Sequence, residues 1–112
     1  MKILYKQVGY PAMVKIIKDD PETMWSVLDG YIEMIPLGGD LWLVHSDKGE
    51  DPHLITDGGD VICGNVVVTA REYSEFRDLT DEEIRTAIEV LEEMVSFCHI
   101  PKARRRYTGD YV

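Results

Sequence analysis

The sequence predicts an α+β domain: a small, mostly antiparallel sheet of about five strands, with one long C-terminal helix and one short helix. Three observations predict it. Short β-branched and apolar runs recur between turns rich in Gly, Pro and Asp. Near the C-terminus, a Thr-x-x-Glu start opens one apolar stripe at helical spacing. The chain has 112 residues, of which 45% are hydrophobic, the size and composition of one domain with a buried core. Residues 1–101 are read as that domain, and 102–112 as a basic, flexible tail.

Lys2–Lys6 places Ile3 and Tyr5 on one face and reads as the first strand. Met13–Ile17 is β-branched and apolar and reads as the second, after a turn through Gly9, Tyr10 and Pro11. A short helix is expected next. Asp20 is its N-cap, Pro21 its first residue, Met24, Trp25, Val27 and Leu28 its apolar face, and Gly30 its end. Tyr31–Leu37 and Leu41–His45 are the third and fourth strands, joined by a tight turn at Gly38-Gly39-Asp40. Ser46–Gly59 reads as a polar loop of about fourteen residues, a length often tied to function or mobility.

Val61–Thr69 is the fifth strand, in which Gly64 and Asn65 mark a bulge or a close approach of two backbones. The third to fifth strands are expected to form the centre of the sheet. Thr80-Asp81-Glu82-Glu83 is a capping box. Ile84, Ala87, Ile88, Leu91, Met94, Val95 and Cys98 then form the apolar face of the long helix, which Pro101 stops. Gly-Gly-Asp occurs at Gly38–Asp40 and again at Gly58–Asp60, which is turn chemistry used twice and not a repeat.

The net charge of −9 is unevenly spread. Residues 1–18 hold four lysines and no acid; residues 19–60 hold eleven acids against Lys48. Residues 72–93 hold nine acids against Arg77 and Arg85, and the tail turns basic again. Such a field repels nucleic acid and anionic membranes and steers toward a basic protein. No apolar run reaches the length of a membrane span, and the first ten residues lack the apolar core of a secretory signal. Two cysteines, Cys63 and Cys98, are too few for a disulfide scaffold. They read as buried thiols, and the expected setting is the reducing cytoplasm.

Several stretches resemble a known family. They are Gly30-Tyr31-Ile32-Glu33; Leu41-Trp42-Leu43-Val44 followed by Asp47-Lys48-Gly49; Asp60 to Val68; and Leu79-Thr80-Asp81-Glu82-Glu83. In order and spacing they are similar to an uncharacterised domain family of unknown function from phages and mobile elements of Gram-positive bacteria. One place departs from the family pattern: Ser46-Asp47-Lys48-Gly49 stands where Asn-Glu-Glu-Gly is usual. The resemblance implies an accessory protein of a phage or mobile element. It brings no catalytic residues.

The residues themselves offer little chemistry. His45, Asp47, Asp51, His53, Asp57 and Asp60 crowd one loop, but their spacing fits neither an EF-hand nor a zinc pattern, so a solvated acidic loop is expected and no metal. Cys98 and His99 are helix neighbours and do not face each other, and no base stands beside Cys63 in sequence. No catalytic residue and no cofactor is therefore assigned. Trp25, Tyr31 and Trp42 are expected to cluster, as core packing by default or else as a partly open face that stacks a nucleobase, and Arg104, Arg105 and Arg106 read as a solvated tail or else a phosphate-binding run. Together they are the candidate binding residues for a small ligand such as a signalling nucleotide, held between subunits of a homo-oligomer. Asp47, Glu50, Asp51 and Asp57 are the candidate acidic surface for a protein partner. The leading expectation is a non-enzymatic protein, an anti-defence inhibitor docking this acidic surface on a basic host protein. The alternatives are the nucleotide-sequestering module and a structural module with no ligand.

Overall fold

The computed structural model describes residues 1–18, 22, 23, 26, 28, 31–49, 51–56 and 58–98, with side chains as far as residue 95. Eight strands and one helix are found among these residues. They are β1 (Lys2–Lys6), β2 (Met13–Ile16), β3 (Ile32–Gly38), β4 (Leu41–Ser46), β5 (Pro52–Ile55), β6 (Val61–Cys63), β7 (Val66–Glu72), β8 (Glu75–Arg77) and α1 (Asp81–Cys98). The α+β class and antiparallel sheet are as expected. The expected short helix falls mostly on residues outside the described ones, and α1 is the one helical element with defined bounds among the described residues.

β7 forms the middle of the sheet because its sequence cannot tolerate water on either side. Val66, Val67, Val68, Thr69 and Ala70 are all buried, so residues of both faces of the strand are covered and Thr69 is the one polar member of the run. The strand order is β2-β1-β7-β4-β3, with β8 pairing the far end of β7. Every neighbouring pair is antiparallel. This corrects the expected centre: the strand at Ile32–Gly38 is an edge, and the N-terminal strand lies beside β7. Hydrophobicity alone marks a strand as buried, but pairing across tens of residues decides its neighbours.

Opposite faces carry separate cores. On one face Leu4, Leu41, Leu43, Val66, Val68 and Ala70 meet Leu79, Ala87, Leu91 and Met94, together with Leu54 and Ile62. On the other, Ile3, Tyr5, Val44 and Val67 pack with Leu28. Ile3 and Tyr5 share a face as expected, and Leu4 between them is buried on the other. Burying one such aliphatic side chain contributes about 1.5–3 kcal/mol.

Two expected elements change. Leu54 and its neighbours do not lie in a polar loop. They form β5, which pairs antiparallel with β6 as a separate two-stranded ribbon. The ribbon buries Leu54 and Ile62 against the helix-side core, and that burial outweighs the polar flanks. The expected fifth strand is two strands, β6 and β7, broken at Gly64, whose φ is +80. At the helix start the capping box forms as read. The Glu83 N–H donates to the Thr80 hydroxyl at 3.1 Å, and the Thr80 N–H to the Glu83 carboxylate at 3.0 Å. Among the described residues no helix is long and apolar enough to cross a membrane.

Candidate functional site

Polar groups converge at the pole of the sheet where β1 ends and β7 begins. Three connections meet there: the β1–β2 loop, the β4–β5 segment and the Gly64-Asn65 link between β6 and β7. Gly49 and Gly64 hold the last two together. A Cβ on Gly64 would lie 2.7 Å from the Gly49 Cα, and a Cβ on Gly49 would strike the Cys63 carbonyl. Neither position has room for a side chain, and Gly64 also needs its positive φ. The close backbone approach expected at Gly64 is this contact. The Gly64 N–H completes it by donating to the Asp51 carbonyl at 2.8 Å.

Asn65 ties the pole to β1. Its side-chain carbonyl accepts the Val8 N–H at 3.0 Å, and its amide donates to the Tyr5 hydroxyl at 3.1 Å. His53, on β5, is buried with 4% of its surface exposed. Its Nδ1 lies 2.7 Å from the Gly64 carbonyl and its Nε2 lies 3.1 Å from the Lys6 ammonium. A carbonyl only accepts and an ammonium only donates, so the neutral ring carries its proton on Nδ1. Burial pushes the His53 pKa below 6.5, and the Lys6 charge pushes the same way against the Gly64 bond. Burial also lowers Lys6.

Two clefts flank this cluster, and Val8 and Tyr10 line both. One, of about 500 Å³, is edged by Gln7, Lys48, Asp51, Cys63 and Asn65. The other, of about 470 Å³, has Pro11, Pro52 and Val95 on its walls with Lys6 and His53. Both His53 nitrogens are engaged, so the ring serves here as a clasp between β5, β1 and Gly64.

A second polar constellation stands at the opposite pole. Arg77 of β8 makes a bidentate pair with Glu83, at 2.8 and 2.9 Å, and a third bond to Asp40 at 2.9 Å. Glu72 lies 3.6 Å from its Nε. The guanidinium holds the Glu83 carboxyl down to about 2, with help from the Thr80 N–H, and the acids hold Arg77 in its charged form. This clamp joins the β3–β4 turn, β8 and the start of α1. Glu83 is thus both the capping-box acid and the anchor of Arg77.

The residues expected to form sites are dispersed. Tyr31 is 82% exposed; its N–H is capped by the Asp47 carboxylate at 2.9 Å. Trp42 is half-buried on β4 and pairs with Pro36 on one side and Thr69 on the other. Ile32, next to Tyr31, pairs with Ser46. Four strand positions therefore separate Trp42 from the Tyr31 end of the hairpin, about 13 Å along β4, and the two rings do not form one cluster. Trp25, Arg104, Arg105 and Arg106 lie outside the described residues.

Of the expected acidic surface, Asp47 and Asp51 are exposed, while Glu50 and Asp57 lie outside the described residues. The loop's histidines part company. His45 pairs with Glu33 across the hairpin at 3.8 Å, and His53 turns inward. Among the described residues no three His, Cys, Asp or Glu side chains converge as metal ligands. Sequence reasoning missed the Lys6–His53 clasp and the Arg77 clamp. His53 had one local signal, its place beside Leu54 and Ile55 in an otherwise polar stretch.

Residues 1–94 match the family model for a domain of unknown function, DUF3846. The chain belongs to the DUF3846 family. No curated protein and no solved structure matches it. The match covers all eight strands and α1 as far as Met94, so both clefts and the Arg77 clamp fall almost wholly within the DUF3846 domain.

Proposed function

We propose that this DUF3846 domain acts by binding: it is an accessory protein of phages or mobile elements that docks an acidic face on a basic surface of a host protein, as an anti-defence inhibitor. One observation carries the reading. The solvent side of α1 presents Asp81, Glu82, Glu89 and Glu93, all exposed, with Arg85 as the base among them. The β7–β8 hairpin adds exposed Glu72 and Glu75, and Asp78 precedes the helix. The acidic surface proposed here is the helix and its approach, together with the exposed Asp47 and Asp51 of the Ser46–Gly59 stretch. The opposite side of the same helix builds the core, so the face is rigid and its charges are held in one array. Rigid charge arrays raise association rates with oppositely charged partners.

The test is capture of host proteins by immobilised domain at low and at high salt, repeated with Glu82→Lys/Glu89→Lys/Glu93→Lys. Specific capture that high salt and the triple variant both abolish supports the reading. Capture indifferent to both, or none at low salt, defeats it.

A second reading has its own observation. The two clefts around Val8 and Tyr10 are of a size that holds a small molecule. On that reading the domain sequesters a small ligand such as a signalling nucleotide. A thermal-shift screen of cyclic nucleotides that leaves the melting point unmoved removes it.

A further inference from the structure

Among the described residues the sheet ends on one side at β2, and no strand pairs with its outer side. Met13, Val14 and Ile16 are 49%, 46% and 71% exposed. Val14 is the direct cross-strand partner of Leu4, which is fully buried in the helix-side core. One strand further out, the same face has lost its cover. An apolar edge without cover is a template for another strand.

The hydrogen-bond register says which groups are offered. Met1 and Ile17 exchange both backbone bonds, the Met1 ammonium donating to the Ile17 carbonyl and the Ile17 N–H to the Met1 carbonyl. Bonded and non-bonded pairs alternate in an antiparallel ladder. Ile3–Lys15 and Tyr5–Met13 are therefore the next bonded pairs, and Val14 and Ile16 direct their N–H and C=O groups away from β1. Val14 and Ile16 thus offer both an exposed side chain and outward backbone groups, while Met13 offers an exposed side chain alone.

Charge selects the occupant. β1, β2 and the segments around them, residues 1–18, hold Lys2, Lys6, Lys15 and Lys18 and no acid, in a chain of net charge −9. Lys15 Nζ rests over the Tyr5 ring, 4.6 Å from its centroid, on the face opposite Val14 and Ile16. A second copy pairing here would double the lysines at the seam with no acid in either strand. A strand with carboxylates on the Lys15 face and apolar side chains beside Val14 and Ile16 matches both faces.

We propose that β2 is a docking edge for an extended, alternating acidic and apolar segment of a partner protein, which adds to the sheet as a further strand. This surface lies apart from the acidic face of α1 and takes the opposite charge, so each can fail without the other.

The experiment is an NMR titration of the full ¹⁵N-labelled chain near neutral pH with a capped synthetic peptide of alternating Glu and Val, and with its Lys-for-Glu counterpart. The Glu peptide is expected to shift the Val14 and Ile16 amides and slow their hydrogen exchange; the Lys peptide is not. Val14→Pro removes one outward N–H without touching a β1 bond, and should weaken binding at least about tenfold, the loss of one well-formed contact. Ile16→Glu leaves the backbone intact and should weaken it comparably by setting an unpaired charge against the peptide's apolar face, which keeps the test valid if the proline variant misfolds. Equal binding of both peptides, shifts confined to the clefts or α1, no shift at millimolar peptide, or unchanged binding by Ile16→Glu would each overturn the proposal. Sedimentation showing a dimer that Ile16→Glu dissolves would overturn it in favour of a second copy.

Discussion

The two edges of this sheet are built on opposite plans. β3 carries Glu33 and Pro36, both exposed, and its register slips between Pro36 and Gly38. A charge, a residue without an N–H and an irregularity are three ways in which a sheet refuses a further strand. β2 has no proline and no slip against β1, and its apolar residues face water. Both strands belong to one sheet, so the difference lies in their residues and not in the fold. The comparison teaches that exposure at β2 is a property of that edge and not a general shortage of cover.

The largest expected effect tests whether β2 is an edge at all. Leu4→Ala should cost about 2–5 kcal/mol, the usual range for emptying a full aliphatic site. Its cross-strand partner, Val14→Ala, should change stability by no more than about 0.5 kcal/mol. Chemical denaturation of both variants measures the contrast. A cost at Val14 comparable to that at Leu4 would mean that β2 is covered.

Next comes the clamp behind β3. Glu83→Ala removes the cap on the Thr80 N–H and the bidentate partner of Arg77, which also reaches Asp40 in the β3–β4 turn. A cost of about 2 kcal/mol is expected, one cap and one partly exposed ion pair. Because the fold lowers the Glu83 pKa from 4.5 to about 2, the native state binds fewer protons there than the unfolded chain. Its contribution is present above pH 4.5 and is lost as pH falls toward 2. Urea midpoints that stay flat across this window, or that move equally in Glu83→Ala, would show that the clamp adds nothing to stability.

A smaller effect belongs to the clasp at the end of β1. His53 is held neutral, with its pKa below 6.5. Protonation would turn Nε2 into a donor facing the Lys6 ammonium. The clasp's contribution is therefore full above pH 6.5 and falls as pH drops below it. His53→Leu should flatten stability between neutral and mildly acidic pH. If the slope persists in that variant, another group is its source.

Much of this could be read from the chain, and the losses share one cause. The capping box at Thr80 and Glu83, the stripe of α1, and the turn at Gly38 and Gly39 are local. Their partners lie within four residues, and the sequence shows them directly. β5 was hidden because Pro52, His53, Leu54 and Ile55 sit between acids and glycines, and the strand exists through its pairing with β6. The three-residue β8 shows no periodicity of its own and is defined by β7. The site residues fail for the same reason. Lys6 and His53 are 47 positions apart, and Arg77 and Asp40 are 37 apart. Tyr31 and Trp42 are close in sequence, yet the hairpin register sends them to different places.

A small gain should come at the tip of the β7–β8 hairpin. Tyr73 has φ +58 and is 97% exposed. Its ring gains little burial, and its backbone stands in a region that favours Gly and Asn. Tyr73→Asn should raise stability by about 0.5 kcal/mol or more, a part of the roughly 1–3 kcal/mol that a non-Gly residue meets in this region. A loss on substitution would show that the ring makes a contact worth more than the strain.

The smallest stability change carries the sharpest test of the comparison. Pro36→Thr restores an N–H on β3 and leaves the side chain exposed, so the melting point should move little. Association should change instead. If proline is what closes this edge, the variant will self-associate with rising concentration in sedimentation, and Glu33→Thr added to it will strengthen the effect. If neither variant associates more than the unaltered chain, the irregularity between Pro36 and Gly38 is the effective guard. That result would locate the difference between the two edges in backbone shape, and β2, paired in register with β1 along its whole length, would remain the edge prepared for a strand.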